Sequence, residues 1–148
     1  MIIQIMSRSN AIKYSEAQHD ETAAIISISD IDKSFPVLEN NTNNGIVARC
    51  KVKFDDVERG ANNCITKTDA LKIVAFVLET ALSQDRLIVH CEAGVSRSAG
   101  VAAAIMKALT GDDKEVFNNP RYVPNMTCYR AVINAFYDFN NIDAGLNK

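Results

Sequence analysis

Residues 87–98 read LIVHCEAGVSRS, and this stretch constrains the chain more than any other. A buried-type strand ends at His90 and Cys91, a short loop carries Gly94 at its middle, and Arg97 and Ser98 open an Ala-rich helical run. A loop between a strand's end and a helix N-terminus points backbone N–H groups at one spot. Those donors, with the positive end of the helix, favour an anion. Gly94 permits a turn that a residue with a Cβ resists. Arg97 adds a planar, permanently charged fork that grips two phosphate oxygens. A cysteine at the bottom of such a cup sits in a field that favours thiolate, and a thiolate beside a phosphate ester can attack phosphorus. Cys91 is therefore the candidate nucleophile, and Glu92, Ala93, Gly94, Val95, Ser96 and Arg97 the candidate phosphate-binding residues.

The rest of the chain alternates strands and helices. Strands are expected over residues 2–6, 23–28, 46–54 and 86–89, and helices over 8–18, 66–83, 98–109, 112–118 and 126–140. Thr66 caps the 66–83 helix, with Asp69 three residues on, and Gly111 ends the 98–109 helix. Residues 39–45, polar and turn-forming, read as a surface loop, and the tail after Asn140 as frayed. This order predicts one α/β domain over residues 1–148, a mostly parallel sheet flanked by helices.

The net charge of −2 argues against nucleic acid or an anionic membrane as the main partner, since both reward a basic surface. No apolar run approaches the roughly 20 residues of a bilayer span, and the N-terminus lacks a signal-peptide pattern. A cytoplasmic protein is expected. Its cysteines (Cys50, Cys64, Cys91, Cys128) form no C-x-x-C pair and read as thiols, neither a disulfide frame nor a zinc site. A nucleotide P-loop needs G-x-x-x-x-G-K-[ST], which is absent from the sequence.

The H-C-x5-R-S signature of His90, Cys91, Gly94, Arg97 and Ser98 resembles that of the protein-tyrosine phosphatase superfamily, and the chain is similar to its small dual-specificity-like members. The likeness extends in element order from about residue 23 to residue 139. It implies the cysteine-phosphatase fold, no metal or cofactor, and a phosphorylated protein or peptide as substrate, phosphotyrosine foremost. It implies that His90 holds the loop and that Ser98 donates to the sulfur, although Ser98 also suits a helix cap. It implies a general acid in a loop after the 46–54 strand. The pattern in similar proteins selects Asp56, 35 residues before Cys91, with Asp55 second and Glu58 weaker. Gly60 and Asn62-Asn63 suit a loop that closes.

Asn125 either packs beside the phosphate loop or simply caps the last helix. Arg121 and Arg130 are possible anion binders, Asp30 and Asp32 possible cleft residues, and Cys128 a remote redox partner for Cys91. Lipid phosphatases of the superfamily place lysines in this loop; here none is present, and Glu92 would repel a polyanionic head group. RNA-end phosphatases are disfavoured by the acidic charge. Arsenate reductases sharing a C-x5-R loop carry it near the N-terminus. A phosphate-binding module that docks phosphoproteins is the reading from another class; it would be favoured by loss of the nucleophile or clamp, and both are present.

Overall fold

The computed structural model describes residues 1–39 and 43–146. Strands β1 (Ile2–Met6), β2 (Ala23–Ser29), β3 (Ile46–Lys53) and β4 (Arg86–His90) form one sheet in the order β1-β4-β2-β3, with every pairing parallel. Helices α1 (Arg8–Glu16), α2 (Lys67–Glu79), α3 (Arg97–Thr110), α4 (Lys114–Phe117) and α5 (Met126–Leu146) connect and cover it. This is the expected α/β architecture, entirely rather than mostly parallel.

Parallel strands need crossover connections and are covered on both faces. β2 shows the consequence, since all seven of its residues are buried. Ile25, Ile26 and Ile28 are at most 1% exposed, and burying such a side chain contributes about 2 kcal/mol. On one face Ile26, Val52, Phe54 and Val89 meet α2, α3 and α5. On the other, Met6, Ile25 and Ile88 pack with Tyr14 of α1.

The caps follow local chemistry. Asp69 N–H donates to Thr66 Oγ1 and Thr66 N–H to Asp69 Oδ2, each at 3.0 Å, closing a capping box on α2. α2 stops at Glu79, and residues 81–83 form a separate 3-10 turn. α3 starts at Arg97, one residue earlier than expected, and ends at Gly111 (φ 79°). α1 is two residues shorter than expected, and α4 spans only Lys114–Phe117. α5 continues past Asn140 to Leu146, while residues 147 and 148 lie outside the described residues. Residues 40–42 of the expected 39–45 loop also lie outside them. Asn44, expected at the surface, is buried, and its amide donates 3.0 Å bonds to the carbonyls of Ser15 and Glu39. Those carbonyls are thereby satisfied in a segment without regular structure. No helix among the described residues is long and apolar enough to cross a membrane.

Helix α3 is buried from Arg97 to Met106, and its small residues let α5 approach closely. A Cβ on Gly100 would lie 2.4 Å from the Asn125 carbonyl oxygen and 3.2 Å from Cys128 Cβ. Alanine normally gains a few tenths to 1 kcal/mol over glycine within a helix. Here the contact is with backbone, so Gly100→Ala is expected to destabilise the protein by about 1–2 kcal/mol in urea unfolding. A rise in the unfolding midpoint would contradict the close approach of α3 and α5.

Candidate active site

β4 ends at the centre of the sheet, and the chain leaves it through Cys91 into residues 92–96 before α3 begins. Gly94 has φ 70°, and a Cβ there would stand 2.6 Å from both Met6 C and Ser7 N. Conformation and space therefore both require glycine. The loop is tied on two sides. Arg8 N–H donates to Glu92 O at 3.0 Å, and Val123 N–H to Val95 O at 3.0 Å. Among the described residues, no protein acceptor takes a backbone N–H of residues 92–97. Glu92 and Ala93 are exposed, Val95 and Ser96 half-buried, and Gly94 buried.

Cys91 is 3% exposed, and its Sγ lies 3.0 Å from the buried Ser98 Oγ. Ser98 does not cap α3; that position belongs to Ser96, whose hydroxyl makes no cap bond and instead donates to Asp56 Oδ1 at 2.8 Å.

Arg97 is 5% exposed. Its Nη1 donates to Asp30 Oδ1 at 2.6 Å and to the Phe54 carbonyl at 2.9 Å, using both hydrogens of that nitrogen. Nε–H and Nη2–H have no protein acceptor among the described residues and are not sealed from solvent. One edge of the guanidinium is thus fixed by protein, and the other offers two parallel donors. Sequence reasoning named Asp30 only as a possible cleft residue beside Asp32, without its partner Arg97. Asp30 follows β2, which neighbours β4, so both strand ends deliver their next residues to one place. Only the sheet order carries that signal.

Asp56 Oδ1 also accepts from Asn125 Nδ2 at 2.8 Å, while Asn125 Oδ1 accepts from Cys128 N–H at 3.0 Å. Asn125 therefore caps α5 and contacts the loop that carries Asp56 at once. Asp55 is engaged differently. Its carboxylate accepts from Asn63 Nδ2 at 3.2 Å within its own loop and from Ile31 N–H at 3.0 Å in the segment after β2, tying the two together. A cavity of about 570 Å³ beside the phosphate loop is bordered by Asp56, Glu58, Arg59, Ser96, Asn125 and Arg130; Cys91 is not among its walls. Arg121 lies at a different cavity, against β1. Asp32 is exposed.

His90 is fully buried. Ser27 Oγ accepts from Arg49 Nε at 2.8 Å and lies 2.7 Å from His90 Nε2, while His90 Nδ1 lies 3.3 Å from the Cys91 carbonyl. A proton on Nδ1 satisfies both contacts: the ring donates to the carbonyl and accepts from Ser27. The network assigns this tautomer. Burial, with the Arg49 and Arg8 charges adding to it against the bond to Cys91, pushes the ring's pKa down to about 4. The Arg49–Ser27–His90 chain was invisible in the sequence because its members come from three strands. Among the described residues, no three His, Cys, Asp or Glu side chains are grouped to hold a metal ion.

No protein-family model matches the chain, and no curated protein does. Solved structures do match. A mouse putative dual specificity phosphatase, complexed with zinc tungstate, is 16% identical with a TM-score of 0.59, over 95% of this chain and 86% of that one. Human DUSP28 is 15% identical with a TM-score of 0.57, over 94% of each chain. PTPMT1 is 17% identical with a TM-score of 0.56, over 97% and 95% of the two chains, and is also known in complex with PI(5)P. The chain has the fold of these dual-specificity phosphatases, as the motif at residues 90–98 implied.

The depressed pKa of His90 has a signed consequence. The folded state binds the proton less readily than the unfolded chain, so the contribution is fully present above the ordinary value of 6.5. It is lost as pH falls from there through about 4. At the acid end the loss is about 3 kcal/mol. The stability gap between the wild type and His90→Asn should therefore shrink between pH 7 and pH 4.5 in urea unfolding. A gap independent of pH would show that the folded ring protonates as readily as the unfolded one, and a gap that widens would show that it is held charged.

Proposed function

We propose that this protein is a metal-independent phosphomonoester hydrolase of the protein-tyrosine or dual-specificity type, working through a phosphocysteine on Cys91. The observation that carries this reading is the pairing of the Cys91 sulfur with Ser98, together with an Arg97 whose Nε and Nη2 have no protein acceptor among the described residues. The fold shared with dual-specificity phosphatases supports it.

In the first step Cys91 Sγ attacks phosphorus and the ester P–O bond breaks. Loop amides and the Nε and Nη2 hydrogens of Arg97 hold the equatorial oxygens, where preorganised donors act most strongly on developing charge. The leaving oxygen takes a proton from Asp56. Both hydrogen bonds to that carboxyl fall on Oδ1, which leaves Oδ2 to carry the proton. In the second step water attacks phosphorus and the S–P bond breaks. Asp56, now a carboxylate, takes the proton from water, while the Ser98 hydroxyl donates to the departing sulfur. His90 and Asn125 are positioning residues, the first for the Cys91 carbonyl and the second for Asp56. The substrate is a phosphorylated protein or peptide, with phosphotyrosine foremost. A cytoplasmic setting belongs to this reading and is supported by the four free thiols.

Hydrolysis of para-nitrophenyl phosphate in the presence of a chelator tests the reading. Turnover should persist with chelator and fall to background in Cys91→Ser; turnover unchanged in that variant would end the proposal. Asp56→Ala should lower kcat on a phosphotyrosine peptide by about 10²-fold or more. Asp55→Ala should lower it less, because that carboxylate is engaged by Ile31 N–H and Asn63 Nδ2 and makes no bond to residues 91–97. The reverse ranking would reassign the acid. Retained phosphopeptide binding without any turnover would instead make the chain a docking module.

A further inference from the structure

The sheet has two edge strands, β3 and β1, and they are defended unequally. β3 carries a row of cations, Arg49, Lys51 and Lys53, at alternate positions. All three lie over the Phe35 ring, at 5.3 Å from its centroid for Lys53 Nζ. Charged side chains and a covering loop are what keeps a further strand from joining an edge. β1 has neither charge nor proline along Ile2-Ile3-Gln4-Ile5-Met6. Ile2 is 54% exposed, and Met1 before it 45%.

The backbone of β1 is used on one side. Ile2 N–H donates to Asp85 O at 3.0 Å, so Ile2, and by alternation Gln4 and Met6, bond toward β4. The N–H and C=O groups of Ile3 and Ile5 therefore point away from the sheet. Among the described residues, no other strand pairs with β1 and no protein group bonds these outward groups. The side chains of Ile3 and Ile5 pack toward Ala99, Ala103 and Met106 of α3. Two cavities flank the edge on that face. One, of about 380 Å³, lies between Ile2 and the side chains of Asp112 and Glu115. The other, of about 210 Å³, lies between Ile5 and Arg121, with Glu115 bordering it as well. The edge is thus acidic near the start of β1 and basic near its end. Among the described residues, no cation pairs with Asp112 or Glu115, and no carboxylate with Arg121.

We infer that β1 pairs antiparallel with β1 of a second copy of this chain, about a two-fold axis through Gln4, joining the two sheets edge to edge. In that register Ile3 stands opposite Ile5 of the second copy. The two exchange both backbone hydrogen bonds, and the symmetry repeats the exchange for Ile5. Every outward group of Ile3 and Ile5 is then satisfied. The axis keeps the α3 faces of both copies on the same side, so each acidic end of the edge meets the other copy's basic end. Asp112 and Glu115 thereby approach Arg121 of the second copy, twice in one dimer. This match selects a second copy over an unrelated strand, and a two-fold contact closes on itself. β4 runs parallel to β1, so the two Cys91 cups lie at opposite ends of the joined sheet. The inference is therefore independent of the phosphatase reading.

Sedimentation equilibrium of the full chain, from micromolar to millimolar protein, should show a monomer–dimer equilibrium. Residue-resolved amide hydrogen exchange should show Ile3 and Ile5 N–H gaining protection as concentration rises, while Gln4 N–H is protected throughout. Glu115→Arg and Arg121→Glu, each alone, should weaken the dimer about tenfold, because each sets like charges opposite one another at two places. The double variant Glu115→Arg/Arg121→Glu should regain the association of the wild type. A chain that stays monomeric at millimolar concentration would overturn the inference, as would a dimer whose Ile3 and Ile5 amides exchange at the monomer's rate. Equal association of the wild type and the single variants, or a double variant as weak as either, would overturn it too. Protection of these amides in a monomer on addition of an unrelated extended peptide would replace the second copy by a peptide partner.

Discussion

A buried guanidinium must be paired, and the pairing of Arg97 organises the end of this sheet. Its Nη1 meets Asp30 after β2 and the carbonyl of Phe54 after β3, while Arg97 itself arrives from the loop after β4. Three neighbouring strands therefore converge on one nitrogen. Removing Asp30 would leave a largely buried charge short of its counter-ion, which is far more costly than breaking a surface pair. The same pairing orients the other edge of the guanidinium, so a contact that stabilises the fold also fixes where Nε–H and Nη2–H lie.

Asn125 shows a similar economy. Its carbonyl lies against Gly100, its Oδ1 caps α5, and its Nδ2 reaches Asp56 and, at 3.2 Å, the carbonyl of Val57. The seat of α5 on α3 and the position of the acid loop are thus set by one residue. Of the two sequence readings of Asn125, the helix cap is made by Oδ1 and the contact with the loop before α3 by its backbone N–H, which donates to Ser96 O at 3.0 Å, while Nδ2 reaches the loop of Asp56.

What was legible in the sequence was what is contiguous. The strand, the glycine turn and the arginine at the helix start lie within a dozen residues, and chemistry at that range needs no tertiary knowledge. Caps built from Thr66, Asp69 and Gly111 were legible for the same reason. The end of α5 was not, because no proline follows Asn140 and the first glycine is Gly145. Ser27 and Arg49, and the pairing of Asp30 with Arg97, were hidden for a different reason: they reach the site only through the order β4-β2-β3, which alternation of elements does not specify. The choice between Asp55 and Asp56 depended on a family pattern. The structure supplies a physical difference, since one carboxylate ties its loop to Ile31 after β2 and the other contacts Ser96. Composition was a poor guide to local charge, as a slightly acidic total conceals the row on β3.

Cys128 sits in the core that also contains Cys91. Burial foremost, and then the Asp56 carboxylate, pushes its pKa up to about 12. At neutral pH roughly one molecule in 10⁵ carries this sulfur as the anion that thiol exchange requires. Cys50 is shifted in the same direction by burial. Burial thus holds two of the other three sulfurs as thiols, while Cys64 is half-buried. An oxidised Cys91 would not be restored by Cys128 or Cys50, which leaves the half-buried Cys64 or a small thiol entering from solvent.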